Sequence, residues 1–247
     1  IPYIRKRMMY IDSKYHIHMT DNFNRPESFD LLKMIRKYRF SLGLPNVRQK
    51  TVEKYLGINR EDMYNGGELI DVYLGYLSSG DERSRNRVLR HNRDDMEGMI
   101  YLSSMLGLKL LKERDISSSE ISMEDKNGRL YLRIKGQLDY TIVRPLYASA
   151  YGISLEAKDD EVSIISPVST GPYRYYFGQS EKDGSEEAEG YFVPIHYIDS
   201  IKLPVYKEKA KNKSGYILLD DNFLGNNNTL SEYVRLTAGL ILEYKGR

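Results

Sequence analysis

The stretch Arg90-His91-Asn92-Arg93-Asp94-Asp95-Met96-Glu97-Gly98-Met99 concentrates the side chains of this chain best suited to chemistry. His91 stands four residues before Asp95, and positions i and i+4 of a helix share one face about one turn apart. A carboxylate there can hold a divalent cation while the imidazole reaches the same water or phosphate. Histidine is the side chain best suited to proton transfer at physiological pH, so His91 could orient or deprotonate that water. Asp94 is a second candidate ligand, and Asn92 a candidate for orienting the ligands from behind. This pairing suits metal-assisted hydrolysis of a phosphodiester. The competing reading is a helix cap, with Asp94 or Asp95 at the positive N-terminal end of an apolar helix running to about Leu111.

Composition narrows what can surround such a pair. Cysteine is absent from the 247 residues, which excludes disulfides and thiolate metal sites and fits a reducing cytoplasm. A cation would rest on Asp, Glu, His or carbonyl oxygens, and clustered carboxylates favour Mg²⁺ or Mn²⁺. No apolar run approaches bilayer length and no secretory leader is visible, so a membrane is not an expected partner. The formal net charge is +2, but it is unevenly spread. Residues 1–115 carry 21 Lys and Arg against 16 Asp and Glu, whereas residues 116–247 carry 16 against 19. The basic half is the half that holds His91 and Asp95, as a polyphosphate substrate requires. Tyrosine is abundant (22 residues), and rings such as Tyr173, Tyr175 and Tyr176 could stack on bases or simply pave a sheet.

The elements that must position these residues fall into two blocks. Pro2 suits the first turn of a helix, and Tyr15 to Met19 reads as a short strand. Leu31, Met34, Ile35 and Tyr38 recur at helical spacing, with Lys33, Arg36 and Lys37 off that stripe. Leu42 to Asn46 reads as a loop, and Gln49 to Leu56 as a helix stopped by Gly57. Arg60 to Gly67 reads as a polar loop, Glu68 to Leu77 as a helix, and Asp81 as the cap of a helix through Leu89. A further helix opens at Asp94 or Asp95, with Met99, Leu102, Met105 and Leu106 buried. Beyond residue 115 the period changes. Leu130 to Lys135 alternates after an Asn127-Gly128 turn signal. Residues 153–156, 162–164, 173–177 and 216–219 read as strands, residues 184–189 as an acidic loop, and residues 231–244 as a helix. A helical part, 1–115, is thus followed by a strand-rich module, 116–247.

Several blocks in order then resemble a known family. They are Ser28-Phe29-Asp30-Leu31-Leu32-Lys33-Met34-Ile35-Arg36, Leu42-Gly43-Leu44 and Gln49 to Ile58, and after them Arg60-Glu61-Asp62, Gly66-Gly67-Glu68-Leu69-Ile70 and Leu89 to Met99. Together they resemble a bacterial ribonuclease-H-like family of predicted 3′–5′ exonucleases of the DEDD class, over roughly residues 1–112. The resemblance implies an α/β fold, a mixed sheet flanked by helices, with a strand-rich α+β module after it. It implies four acidic residues from three motifs holding two divalent cations. Asp95 matches the third-motif aspartate and His91 its partner. No Asp-x-Glu lies on a plausible first strand, the Asn-Gly…Phe-Asp of the second motif is absent, and Ile1 to Arg7 resembles the family's segment just downstream of the second motif. The fold is therefore expected to be incomplete at its N-terminus, with three of the four ligands missing.

Other residues carry weaker expectations. Asp30 either caps the helix beginning at Leu31 or supports the ligands from behind. Arg36, Lys50 and Lys54 either contact phosphates of DNA or RNA or form a solvated face. Gly66-Gly67 is too short for a phosphate loop. His16 and His18 share one strand face, but no third ligand is near. These residues leave two functions open. One is a metal-dependent exonuclease in the complete protein. The other is a truncated or degenerate module that binds nucleic acid or protein without cleaving.

Overall fold

The computed structural model describes residues 2–16, 30–60, 66–177, 182, 184–196, 203–212 and 214–246. Two compact units divide the chain, Ile1–Leu31 and Leu32–Arg247. In the first, α1 (Pro2–Tyr15) starts at its proline, whose missing N–H would have had no intrahelical acceptor. It ends at His16 in the left-handed region, with φ 55°. Tyr15 therefore closes a helix instead of opening a strand, and His18 lies outside the described residues.

The second unit begins in α2 (Leu31–Tyr38), whose stripe of Met34, Ile35 and Tyr38 is buried while Lys33, Arg36 and Lys37 face solvent. After a turn through Gly43 (φ 64°), α3 (Gln49–Tyr55) buries Val52 and Glu53, and Gly57 (φ 73°) lets the chain leave it. α4 (Gly66–Ser79) includes Gly66 and Gly67, which were expected in a loop; residues 61–65 are outside the described set. α5 (Glu82–Leu102) starts where Asp81 accepts from the Arg83 and Ser84 amides, at 3.3 and 3.0 Å.

α5 then runs without a break for 21 residues. Asp94 and Asp95 sit in its middle and cap nothing, which corrects the expectation of a helix opening there. With Asp81 already capping, a second N-terminus would cost hydrogen bonds the chain can make by continuing. The break falls later, in a 3₁₀ turn at Ser103–Met105 before α6 (Leu106–Glu113). Leu102 and Met105 are buried as expected, but Met99 is 47% exposed and Leu106 only half-buried.

The strands form two antiparallel sheets. β1 (Ser117–Lys126), β2 (Arg129–Ala150) and β3 (Ile153–Pro167) make a meander. Its turns, Asn127-Gly128 and Tyr151-Gly152, have positive φ at both residues, the twist-compatible hairpin geometry. β4 (Ser169–Thr170), β5 (Tyr173–Tyr176), β6 (Ser185–Ala188), β7 (Tyr191–Ile195), β8 (Tyr206–Lys207) and β9 (Gly215–Leu218) form the second sheet, in the order β4-β7-β9-β8-β5-β6. The acidic stretch expected as a loop is thus the edge strand β6, paired with β5 from Tyr173↔Ala188 to Tyr176↔Ser185. Its glutamates suit an edge, where charge discourages further strand pairing.

After the short α7 (Asp221–Leu224), α8 (Asn227–Glu243) closes the core with Leu230, Tyr233, Val234, Thr237, Ala238, Ile241 and Leu242. The Tyr233 hydroxyl meets Ser166 Oγ of β3 at 2.9 Å and the Pro194 carbonyl of β7 at 3.3 Å, so one side chain joins both sheets. Burial pushes that phenol up to about 12. Tyr173 stacks on Tyr216 at 4.1 Å, and Tyr173 and Tyr206 pack edge-on against the buried Phe192. These rings pave the sheet, as the simpler of the two readings has it.

Helices and strands meet at β2. Gly107 of α6 leaves no room for a Cβ, which would lie 2.4 Å from Ile142 Cδ1. The Tyr55 hydroxyl donates to the Tyr147 carbonyl and accepts from the Tyr147 amide, both at 2.6 Å, and is pushed up to about 12 by burial. Among the described residues, no helix is long and apolar enough to cross a membrane.

Candidate functional site at the α3–α5 contact

Two faces of α5 carry its polar residues. His91, Asp95 and Gly98 lie on the face turned to α3. Arg90, Arg93, Asp94 and Glu97 line a cleft of about 760 Å³ beside it, together with Asn59 and Arg60.

On the first face, His91 Nε2 lies 3.3 Å from Asp95 Oδ2, the one-turn contact that the spacing of these residues allows. The contact becomes an N–H···O⁻ hydrogen bond when Nε2 carries the proton. Asp95 keeps 44% of its side chain exposed, and His91 14%. The other carboxylate oxygen, Oδ1, accepts from Arg60 Nη1 at 2.5 Å. Arg60 also donates twice to Glu53, through Nε to Oε2 and Nη2 to Oε1, each at 2.5 Å. Gln49 Nε2 completes the network, donating to Glu53 Oε1 at 2.9 Å and to the Asp95 carbonyl at 3.1 Å.

Local structure explains this convergence. Gln49 and Glu53 are one turn apart on α3, and Gly57 reverses the chain so that Arg60 returns over Glu53. α5 approaches closely because residue 98 has no side chain; a Cβ there would fall 1.9 Å from Glu53 Oε1. Glu53 and Arg60 are buried, at 1% and 8% exposure, and a buried carboxylate needs such a partner. The hydrogen bonds Arg60 donates to Glu53, and after them the one it donates to Asp95, raise the guanidinium pKa against the lowering effect of burial.

The other expected site residues lie elsewhere. Asp94 is in the middle of α5, its Oδ2 buried and without a hydrogen-bond partner among the described residues. Asn92 is exposed on α5, and Asp30 is exposed immediately before α2. Arg36 on α2, and Lys50 and Lys54 one turn apart on α3, are exposed. Sequence reasoning does not single out Glu53, Arg60, Gln49 or Gly98. The available signal is Glu53 itself, which falls on the apolar stripe of a short helix beside Val52 and Leu56, where a carboxylate demands a cation.

Among the described residues, no group of three or more His, Asp or Glu side chains is placed to hold a metal ion. Asp95 has its two oxygens engaged by Arg60 and His91. These residues do not, on their own, fit a two-cation centre, which needs several carboxylates to balance its charge.

No curated protein and no solved structure matches the chain. Residues 1–106, the segment that contains α1 to α5 and the whole Glu53–Arg60–Asp95–His91 network, match a family model of the RNase_H superfamily.

Proposed function

We propose that this chain acts on nucleic acid as part of a nuclease of the ribonuclease-H-like class, a Mg²⁺- or Mn²⁺-dependent 3′–5′ exonuclease hydrolysing phosphodiester bonds of DNA or RNA in the cytoplasm. The observation that supports it is the His91–Asp95 pair, at 3.3 Å with the Asp95 carboxylate partly exposed, inside the segment that matches the RNase_H superfamily. In this reading residues 1–115 carry the nucleic-acid chemistry and residues 116–247 are a second module. The divalent ions would supply nucleophile activation and charge neutralisation. The chain's own residues do the rest. His91 fixes the orientation of the Asp95 carboxylate, with Asp94 beside it as the other candidate acid. The exposed Arg36, Lys50 and Lys54 hold phosphates without reading sequence. Asn92, exposed on the same helix, orients the ligands from behind.

The test is cleavage of 5′-labelled single-stranded DNA and RNA by the full chain with added Mn²⁺. Stepwise shortening from the 3′ end, abolished in Asp95→Asn, is the expected outcome. Undiminished shortening in Asp95→Asn removes the reading. The bond from Arg60 to Asp95 favours a second reading, binding without hydrolysis. It yields a salt-sensitive gel shift and no Mn²⁺-stimulated shortening.

A further inference from the structure

The cation that Asp95 holds in this fold is a side chain. The Arg60 guanidinium directs three N–H groups at two carboxylates, two at Glu53 and one at Asp95, each at 2.5 Å. Glu53 cannot swing away to release it. Its Oε1 also accepts from Gln49, and Gly98 leaves it only the space it fills. The Arg60 side chain is 8% exposed and Glu53 1%, so water screens that half of the arrangement poorly, while Asp95 stands 44% exposed at its edge. A divalent ion bound to Asp95 would sit within a few ångströms of this guanidinium, like charge against like charge.

We infer that Arg60 is the resident counter-cation of Glu53 and Asp95 and keeps divalent ions off Asp95 in the chain as it stands. The α3–α5 contact is then a charge clamp, and any divalent ion brought to Asp95 must first displace Arg60. The inference goes beyond the nuclease reading and holds whether or not the chain cleaves nucleic acid. It also makes Arg60 the residue whose removal creates a cation site. Without it, the Glu53 and Asp95 carboxylates lose the guanidinium that bridges them, and Asp95 keeps His91 Nε2 at 3.3 Å.

The experiment is an Mn²⁺ titration of the purified chain, monitored by electron paramagnetic resonance in the absence of nucleic acid. Wild type and Asp95→Asn are expected to give the same isotherm. A site present in wild type and lost in Asp95→Asn overturns the inference. Arg60→Gln is expected to gain an Mn²⁺ site at least tenfold tighter than any in wild type. That site disappears in Arg60→Gln/Asp95→Asn, and Mn²⁺ raises the unfolding temperature of Arg60→Gln alone. A folded Arg60→Gln that gains no site also overturns it. Should Arg60→Gln not fold, the wild-type and Asp95→Asn isotherms decide the matter between them. Because nucleic acid is absent throughout, failure of the nuclease reading leaves this result untouched.

Discussion

Helices α4 and α8 carry the same kind of apolar stripe, and the molecule treats them differently. On α4, Ile70, Tyr73, Leu74 and Leu77 recur at helical spacing, yet each is between 47% and 61% exposed, and Leu69 is buried. On α8, seven residues from Leu230 to Leu242 are buried against the three-stranded sheet and α6. Periodicity identifies a helix and the face it must cover. Whether that face is covered depends on what the rest of the chain brings to it. α5 repeats the lesson within one helix. Gly98 and Leu102 are buried on the side facing α3, while Met96 and Ile100 stand 73% and 69% exposed on the other.

The comparison can be broken at single residues. Leu230→Ala, at a fully buried position of α8, should cost about 2–5 kcal/mol in urea unfolding by leaving a cavity. Leu77→Ala on α4 should stay within about 0.5 kcal/mol, having little buried surface to lose. Equal losses at the two positions would mean that α4 is covered in solution. Native-state hydrogen exchange gives a second view, with α4 amides expected to open at lower free energy than those of α8.

Gly98→Ala sharpens the contrast inside α5. Its new methyl group meets Glu53 Oε1 and must push the buried ion pair aside, at a cost of about 1–3 kcal/mol. Alanine normally favours a helix over glycine, so a gain in stability would show that α3 and α5 are further apart than described. Tyr233→Phe removes the hydroxyl shared by the two sheets and should cost about 1 kcal/mol, with the fold retained.

The smallest effect expected is a pH dependence. Burial holds the His196 imidazole, which packs on Tyr151 at 4.7 Å, below its ordinary value. A histidine depressed in the folded state binds its proton more readily once unfolded. Its contribution is therefore complete above about pH 6.5 and falls away as the pH drops from there toward the folded value. His196→Gln should flatten that fall in the urea midpoint between about pH 6.5 and 5, the window above carboxylate titration. An unchanged slope would place the cause elsewhere.

Much of the local structure was legible in the residues. Pro2 opening a helix, Gly57 stopping one, Asp81 capping one and Asn127-Gly128 turning a hairpin are each decided by backbone geometry within a few residues. The His91–Asp95 contact was legible for the same reason, since one helical turn sets it. Asp94 and Asp95 were misplaced at a helix start because an acidic pair suits a cap as well as a helix surface. Only Asp81, upstream, settles which it is. The strand β6 was hidden because its glutamates have little strand preference of their own and pair by virtue of β5 beside them.

By itself, then, the sequence determined several helix starts and stops and the Asn127-Gly128 hairpin, which half is basic, and that residues 91 and 95 share a face, all consequences of short-range geometry and composition. Tertiary structure alone decided that Asp95 meets Arg60, that Glu53 is sealed beneath Gly98, and that one apolar helix is buried while another faces water. Those outcomes join residues 35 or more positions apart, and a charge or an apolar stripe does not name its partner until the chain has closed around it.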